Sequence, residues 1–202
     1  MQNPANTLTD RIRALTSGII SRAGMAFYRA GIHPDWISVA GLVVVAFAAV
    51  VIASGQVQWG GIILVLGLPL DALDGAVARA MERRDKFGGL LDSTLDRYAD
   101  GLIFASLGYY FASQNELGHL ILALAALIGS YTVSYVRARA GEAGLSVKVG
   151  LFTRLERVAI ILPALIIPPL LIPGMWILAV GTNFTGIQRV WFVYRNTEFT
   201  EM

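Results

Sequence analysis

The stretch from Leu70 to Asp96 reads LDALDGAVARAMERRDKFGGLLDSTLD and holds six acidic residues. It lies in a chain of 202 residues that is 55% hydrophobic and 15% charged, whereas a soluble domain is about 45–50% apolar and about 25% charged. The composition indicates a membrane protein, in which carboxylates are costly and usually functional. The chain has no cysteine and only two, widely separated histidines, which excludes thiolate metal sites and argues against a histidine-based triad.

The apolar segments predict an all-α integral membrane protein with six transmembrane helices, because a helix needs about 20 apolar residues to cross a bilayer. The predicted spans are Trp36–Ser54, Trp59–Ala80, Gly89–Ala112, Gly118–Ala140, Leu155–Leu171 and Gly174–Tyr194. Residues 8–31 mix apolar residues with arginine and predict an amphipathic helix along the interface, with an ordinary surface helix as the alternative. We expect a single domain over residues 1–202, with the six-helix bundle at residues 36–195.

The positive charges indicate the orientation of these helices. All 16 Lys and Arg residues precede the first helix, end the sixth, or flank the junctions of helices two and three and of helices four and five. The opposite connections, SGQVQ, SQNELGH and IPG, have none. The positive-inside rule therefore predicts that both termini and the charged loops face the cytoplasm from the cell membrane.

The end of the second helix and the start of the third each carry a face of small and acidic residues. At about 100° per residue, these faces hold Asp71, Asp74, Gly75 and Ala78, with Arg79 beside them, and Gly88, Asp92 and Asp96. Because the connection between the second and third helices is short, we expect the two helices to be antiparallel neighbours whose acidic faces oppose each other. Four crowded carboxylates repel one another, and hard divalent cations such as Mg²⁺ or Mn²⁺ would offset their charge. The alternative is a set of helix-end Asp residues satisfied by water and by nearby cations.

The spacing D-x2-D-G-x2-A-R-x8-G-x3-D-x3-D resembles the signature of the CDP-alcohol phosphotransferases, and the chain fills all eight fixed positions. The resemblance implies transfer of a phosphatidyl-type group from a CDP-linked lipid, such as CDP-diacylglycerol, to a second alcohol, with release of CMP. It implies that two divalent ions are held by Asp71, Asp74, Asp92 and Asp96. It also implies that Asp96 is the general base and that Gly75, Ala78 and Arg79 lie against the nucleotide.

The segment HPDWIS at the start of the first helix also resembles the family. The resemblance implies that Asp35 and Ser38 line the nucleotide and diphosphate site, although Pro34 and Asp35 are also a plausible helix start. Asp85 stands where some relatives place a threonine near the donor, so its assignment to the donor site departs from the family pattern.

The junction SYVRARAGEAGLSVKVGLFTRLERV resembles that of phosphatidylinositol-phosphate synthases. The resemblance implies that Arg137, Arg157 and Arg189 bind the phosphate of inositol 1-phosphate, a role that suits guanidinium groups. Thr153 and Leu155 replace the usual Glu and Pro of those relatives. Glycerol 3-phosphate, as in a phosphatidylglycerol-phosphate synthase, and an archaeal-type ether-lipid reaction therefore stay open, as does a purely topological role for these arginines.

The same residues bear on the expected partners and on other function classes. Because the relatives are homodimers, the resemblance implies a homodimer; the remaining expected partners are membrane lipids, and we expect no nucleic acid. A cation transporter would need ionisable residues at several depths of the membrane, whereas here the charges gather at one end of the helices. A noncatalytic scaffold leaves the Gly, Ala and Arg spacing unexplained.

Overall fold

The computed structural model describes residues 21–81 and 86–198, and its regular structure there is entirely helical. Six helices are α1 (Pro34–Ala53), α2 (Val57–Ala80), α3 (Lys86–Ser113), α4 (Leu117–Glu142), α5 (Arg154–Ile166) and α6 (Leu171–Glu198). Residues 21–29 form a further helix. The helical character of all six predicted segments is thus confirmed. Residues 8–20 lie outside the described part, so the interfacial helix over residues 8–31 stays a prediction.

The boundary between the last two helices differs from the sequence prediction. α5 ends at Ile166 rather than at Leu171, and a short 3-10 turn, Pro168–Leu170, leads directly into α6. Proline lacks the amide hydrogen that a helix interior needs, and it disfavours a helical conformation in the residue before it. Pro168 and Pro169 together therefore end α5 early and move the start of α6 forward.

Within residues 21–81 and 86–198, three segments are long and apolar enough to cross a membrane: Pro34–Ala53, Leu117–Glu142 and Pro168–Thr197. α1 also exposes Val43, Phe47 and Val50, which recur at helical spacing along one stripe. An exposed apolar stripe of this kind suits contact with lipid. These helices are consistent with a membrane protein, while six spans and the orientation of the termini stay predictions.

The described residues fall into two compact units. Residues 21–44 and 66–96 form the smaller unit, and residues 45–65 and 97–198 form the larger unit. In the smaller unit, the facing pairs run in opposite directions along α1 and α2, so the helices are antiparallel there. The pairs are Ser38 with Asp74, Gly41 with Leu70, and Val44 with Gly67. The single domain expected over residues 1–202 stays a prediction.

The apolar core lies in the larger unit. Its fully buried side chains include Ile52, Leu107, Leu165, Met175 and Leu178. These residues come from four different helices, and together with their neighbours they form one continuous cluster. Interiors of this kind are close-packed, so the core holds the charged ends of the helices at fixed positions within this unit.

α4 and α6 approach closely because small residues face each other across the interface. A Cβ added at Gly129 would overlap Thr182 and lie 2.8 Å from the backbone nitrogen of Asn183. The Asn183 amide donates a 2.8 Å hydrogen bond across the same interface to the carbonyl of Ala125. Small residues and interhelical polar bonds are the usual means by which membrane helices associate.

We therefore predict that Gly129→Ala lowers stability by about 1–3 kcal/mol, the usual cost of overpacking a core. The matched control is Gly118→Ala on the same helix, where no other atom lies within 4 Å of the added Cβ. The measurement is the midpoint of thermal unfolding in detergent. Equal midpoints for the two variants would contradict the close approach of α4 and α6.

Candidate active site

Asp74 on α2 is held by a hydroxyl from α1. The side chain is only 8% exposed, and Ser38 Oγ donates a 2.6 Å hydrogen bond to its Oδ2. Hydrogen bonds of this length are typical of a hydroxyl donating to an ionised carboxylate. This hydrogen bond fixes the position of one carboxylate oxygen and thereby the rotamer of the Asp74 side chain. Ser38 therefore orients Asp74.

The start of α1 places Asp35 in the first helical turn. Its backbone nitrogen lies 3.4 Å from His33 Nδ1, and the same ring nitrogen lies 3.4 Å from the Asp35 carboxylate. An acidic residue is favourable here because the helix N-terminus carries partial positive charge. Asp35 and Ser38 are thus one turn apart in the smaller unit, and their role in lining the nucleotide and diphosphate site stays a prediction.

Gly75 and Arg79 share a surface of α2. A Cβ added at Gly75 would lie 3.3 Å from Nη1 of Arg79, so the exposed guanidinium lies back across the glycine. A larger side chain at position 75 would compete with this placement of Arg79. Ala78 lies between them in sequence and is half-buried. The structure therefore gives this part of α2 a cation beside an almost bare stretch of backbone.

The predicted metal ligands differ in exposure. Asp74 and Asp96 are buried and Asp92 is exposed, whereas the side chain of Asp71 lies outside what the structure describes, as does Asp85 of the predicted donor site. Among the described side chains, no group of three or more His, Asp or Glu residues lies close enough to hold a metal ion. The four-carboxylate site therefore stays a prediction.

The larger unit brings the three predicted acceptor-binding arginines together. Arg157 and Arg189 are 3% and 2% exposed, while Arg137 is exposed. Arg189 interacts electrostatically with both of the other two. It also donates from Nη1 to the carbonyl of Val133 at 2.7 Å and from Nε to the carbonyl of Val149 at 2.9 Å. Two neutral carbonyls thus orient a buried cation without cancelling its charge.

Gly150 belongs to the same cluster. Its φ is +119°, a backbone conformation that glycine adopts readily and other residues rarely adopt. A Cβ there would lie 2.5 Å from Thr185 Cγ2 and 3.2 Å from Arg189 Nε. The loop before α5 can therefore close onto Arg189 only with glycine at this position.

Sequence reasoning missed Asp100 and Ser130. Asp100 is 9% exposed and accepts hydrogen bonds at Oδ2 from Arg157 Nη2, at 2.7 Å, and from Ser130 Oγ, at 2.8 Å. Asp100 continues the i, i+4 spacing of Gly88, Asp92 and Asp96 by one more step, and this spacing was the available signal. Ser130 carried no such signal, because its role depends on a partner thirty residues away.

The model of the CDP-alcohol phosphatidyltransferase family matches residues 31–187, which include every described residue of the acidic stretch. The chain belongs to the CDP-alcohol phosphatidyltransferase family. The sequence resemblance that the acidic spacing carried is therefore confirmed, and the protein is a phosphatidyltransferase.

Named relatives of this phosphatidyltransferase cover most of its length. The phosphatidylinositol phosphate synthase of Mycolicibacterium smegmatis is 36% identical, over 82% of this chain and 79% of that protein. The archaetidylinositol phosphate synthase of Pyrococcus horikoshii is 35% identical, over 95% of this chain and 99% of that protein. The crystal structure of Mycobacterium tuberculosis phosphatidylinositol phosphate synthase with CDP-diacylglycerol bound matches at a TM-score of 0.83 and 31% identity, covering 87% of this chain and 94% of that one.

The acidic side chains of this phosphatidyltransferase fit a divalent cation. All predicted ligands are carboxylates, and oxygen-only donor sets suit hard cations such as Mg²⁺ and Mn²⁺. The Mycobacterium tuberculosis enzyme has also been crystallised with manganese and citrate, and that structure matches at a TM-score of 0.82. Family membership and this donor chemistry together make the protein a metal-dependent transferase.

Proposed function

We propose that this phosphatidyltransferase moves the phosphatidyl group of CDP-diacylglycerol to a hydroxyl of inositol 1-phosphate. The acceptor oxygen forms a bond to the phosphorus that carries diacylglycerol. The bond from that phosphorus to the bridging oxygen breaks, and CMP leaves with the bridging oxygen. The proton of the acceptor hydroxyl passes to Asp96. The observation that carries the acceptor assignment is the cluster of Arg137, Arg157 and Arg189 in the larger unit.

Four carboxylates would hold the metal ions of this reaction: Asp71, Asp74, Asp92 and Asp96. Bound Mg²⁺ or Mn²⁺, as two ions, would offset the charge of the diphosphate and stabilise the leaving CMP. The protein's own contribution is orientation, which the hydrogen bond from Ser38 to Asp74 illustrates. Asp96 is buried, and a positioned carboxylate can accept the proton of a reacting hydroxyl.

The donor nucleotide would lie along α2 and the start of α1. Gly75 lets the nucleotide approach the helix backbone, and Arg79, which lies across Gly75, provides a cation for a phosphate oxygen. Asp35, Ser38 and Ala78 complete this side of the site. Asp85 belongs to the same proposal and lies outside the described residues.

The names of the relatives favour inositol phosphate over glycerol phosphate as the acceptor. Phosphatidylinositol phosphate synthases and an archaetidylinositol phosphate synthase match at similar identity, 36% and 35%. Their names share inositol phosphate and differ in the lipid. The ether-lipid donor is therefore the second candidate, and a phosphatidylglycerol-phosphate synthase ranks below it. A cation transporter lacks support, because the protein belongs to a transferase family.

The membrane arrangement is part of the same proposal. All 16 Lys and Arg residues fall on one side of a six-span topology, which favours cytoplasmic termini and an active site facing the cytoplasm from the cell membrane. Three segments have the length and apolar character for a span. We further propose that the protein forms a single domain over residues 1–202 and works as a homodimer, as the sequence resemblance implied.

We predict that Asp96→Asn reduces CMP release by about 10²–10⁴-fold, the usual contribution of a general base. The assay uses liposomes with CDP-diacylglycerol, inositol 1-phosphate and saturating Mn²⁺. Glu116→Gln is the control, since this carboxylate pairs with His119 in the turn before α4 and lies outside the proposed site. Full activity of Asp96→Asn would rule out its role as the base.

Ser38→Ala is expected to raise the Mn²⁺ concentration needed for half-maximal activity by about tenfold, because groups that orient metal ligands tune metal affinity. At saturating Mn²⁺ the variant should recover most of its rate. Ser54→Ala is the matched control, since the Ser54 hydroxyl donates a hydrogen bond to the carbonyl of Val51 on its own helix turn and orients no carboxylate among the described residues. An unchanged metal requirement would argue against Asp74 as a ligand.

Arg137→Gln is expected to raise the KM for inositol 1-phosphate by about tenfold, as expected for loss of a charged hydrogen bond, with the KM for CDP-diacylglycerol unchanged. Arg139→Gln is the matched control, because Arg139 is equally exposed on α4 and pairs with Glu142. Running the wild-type protein with inositol 1-phosphate and with glycerol 3-phosphate tests the acceptor itself. Turnover of glycerol 3-phosphate alone would overturn the inositol assignment.

A further inference from the structure

A single buried carboxylate oxygen joins three helices of the larger unit. Asp100 on α3 accepts at Oδ2 from Ser130 on α4, at 2.8 Å, and from Arg157 on α5, at 2.7 Å. Ser130 is fully buried and Arg157 is 3% exposed. The family signature ends at Asp96 and assigns nothing to this carboxylate.

Stability alone is a weak reason for such an arrangement. Removing two charges from water costs several kcal/mol per ion, and well-packed apolar residues often replace a buried ion pair without loss of stability. Ionisable residues within membrane helices are rare and mark functional sites by default. Neighbouring core positions are filled by Leu107, Ile161 and Leu165, so an apolar solution was available to this fold.

The geometry leaves part of the Arg157 guanidinium available. Nη2 is bound to Asp100, and Nη1 lies 3.4 Å from the carbonyl of Phe152, which is a long contact. Nε is buried and has no hydrogen-bond partner among the described residues. A guanidinium has five N–H donors in a fixed plane. Because Asp100 holds one edge of this plane, the remaining N–H donors of Arg157 point in a fixed direction.

The charge balance also fits an anionic ligand. Arg157 and Arg189 are both buried, but Arg189 is held by the carbonyls of Val133 and Val149 rather than by a carboxylate. Arg157 is bound to the buried Asp100 and interacts electrostatically with the exposed Glu156, and the exposed Arg137 adds a third cation near Arg189. Asp100 orients one cation and leaves the cluster positive.

We propose that Asp100 is a positioning residue for the acceptor: it binds one edge of Arg157 and directs the other edge toward the phosphate of the acceptor alcohol, with Ser130 fixing the carboxylate. This inference rests on the proposed role of Arg157 in acceptor binding. It assigns no contact between Asp100 and substrate. Asp100 acts only through Arg157, and this makes its effect separable from that of a general structural residue.

Asp100→Asn is expected to raise the KM for inositol 1-phosphate by about tenfold, the effect of losing a charged hydrogen bond, while the KM for CDP-diacylglycerol stays unchanged. Ser130→Ala retains both charges and should raise the same KM by a smaller factor. Glu142→Gln is the matched control, since it removes the carboxylate of an exposed pair with Arg139 and should change neither KM. Equal rises in both KM values for Asp100→Asn would indicate a structural role and overturn the proposal.

The double variant Asp100→Asn/Arg157→Gln provides the decisive comparison. If Asp100 acts through Arg157, the acceptor KM of the double variant equals that of Arg157→Gln alone, since coupled residues are non-additive. Multiplicative effects would overturn the proposal. If Asp100→Asn does not fold, Ser130→Ala and the double variant, which removes both charges, decide the outcome.

The same measurements separate this inference from the proposed function. If the wild-type protein releases CMP with neither inositol 1-phosphate nor glycerol 3-phosphate, the proposed function is wrong, and this inference, which rests on it, is wrong as well. If Arg157→Gln raises the acceptor KM and neither Asp100→Asn nor Ser130→Ala does, the proposed function stands and the positioning role of Asp100 is wrong.

Discussion

A guanidinium buried among apolar helices must have its donors directed at acceptors, and this requirement organises the larger unit around Arg157 and Arg189. Unpaired buried polar groups are costly because the surrounding dielectric constant is low. Arg189 meets the requirement with carbonyls from α4 and from the loop before α5, and Arg157 meets it at Nη2 with Asp100 on α3. The helices that carry these acceptors are therefore linked by the cations as well as by the apolar core.

Close approach of the backbones makes these polar links possible. Gly129 allows α6 to reach α4 near Thr182, and Gly186 meets Thr132 one turn further along the same interface. Val133 follows directly on α4, with its carbonyl bound to Arg189. Larger residues at the glycine positions would move α4 away from α6. The carbonyl of Val133 would then lie too far from Arg189 to accept its hydrogen bond. Small residues thus serve the site as well as the packing.

Most of the helices and the family could be predicted from the sequence, because both depend on local patterns. Apolar runs marked the helices, and the spacing from Asp71 to Asp96 carried the family resemblance. The early end of α5 was also local, since Pro168 and Pro169 stood in the sequence. What the sequence did not contain was the partner of each polar side chain. Asp100 meets Ser130 and Arg157 across thirty and fifty-seven residues, and no periodicity within one helix specifies such pairs.

The two units differ in the sign of their buried and half-buried charge. In the smaller unit, Asp74 and Asp96 are buried acids, and Ser38 orients one of them without adding charge. In the larger unit, two arginines are buried, and one of them, Arg157, is bound to the buried carboxylate of Asp100. In the proposed function, the carboxylates of the smaller unit would bind the metal ions that hold the diphosphate. The net positive charge of the arginine cluster in the larger unit would favour an acceptor that carries its own phosphate. A neutral acceptor would leave the second charge imbalance uncompensated, which is the physical reason to favour a phosphorylated alcohol as the second substrate.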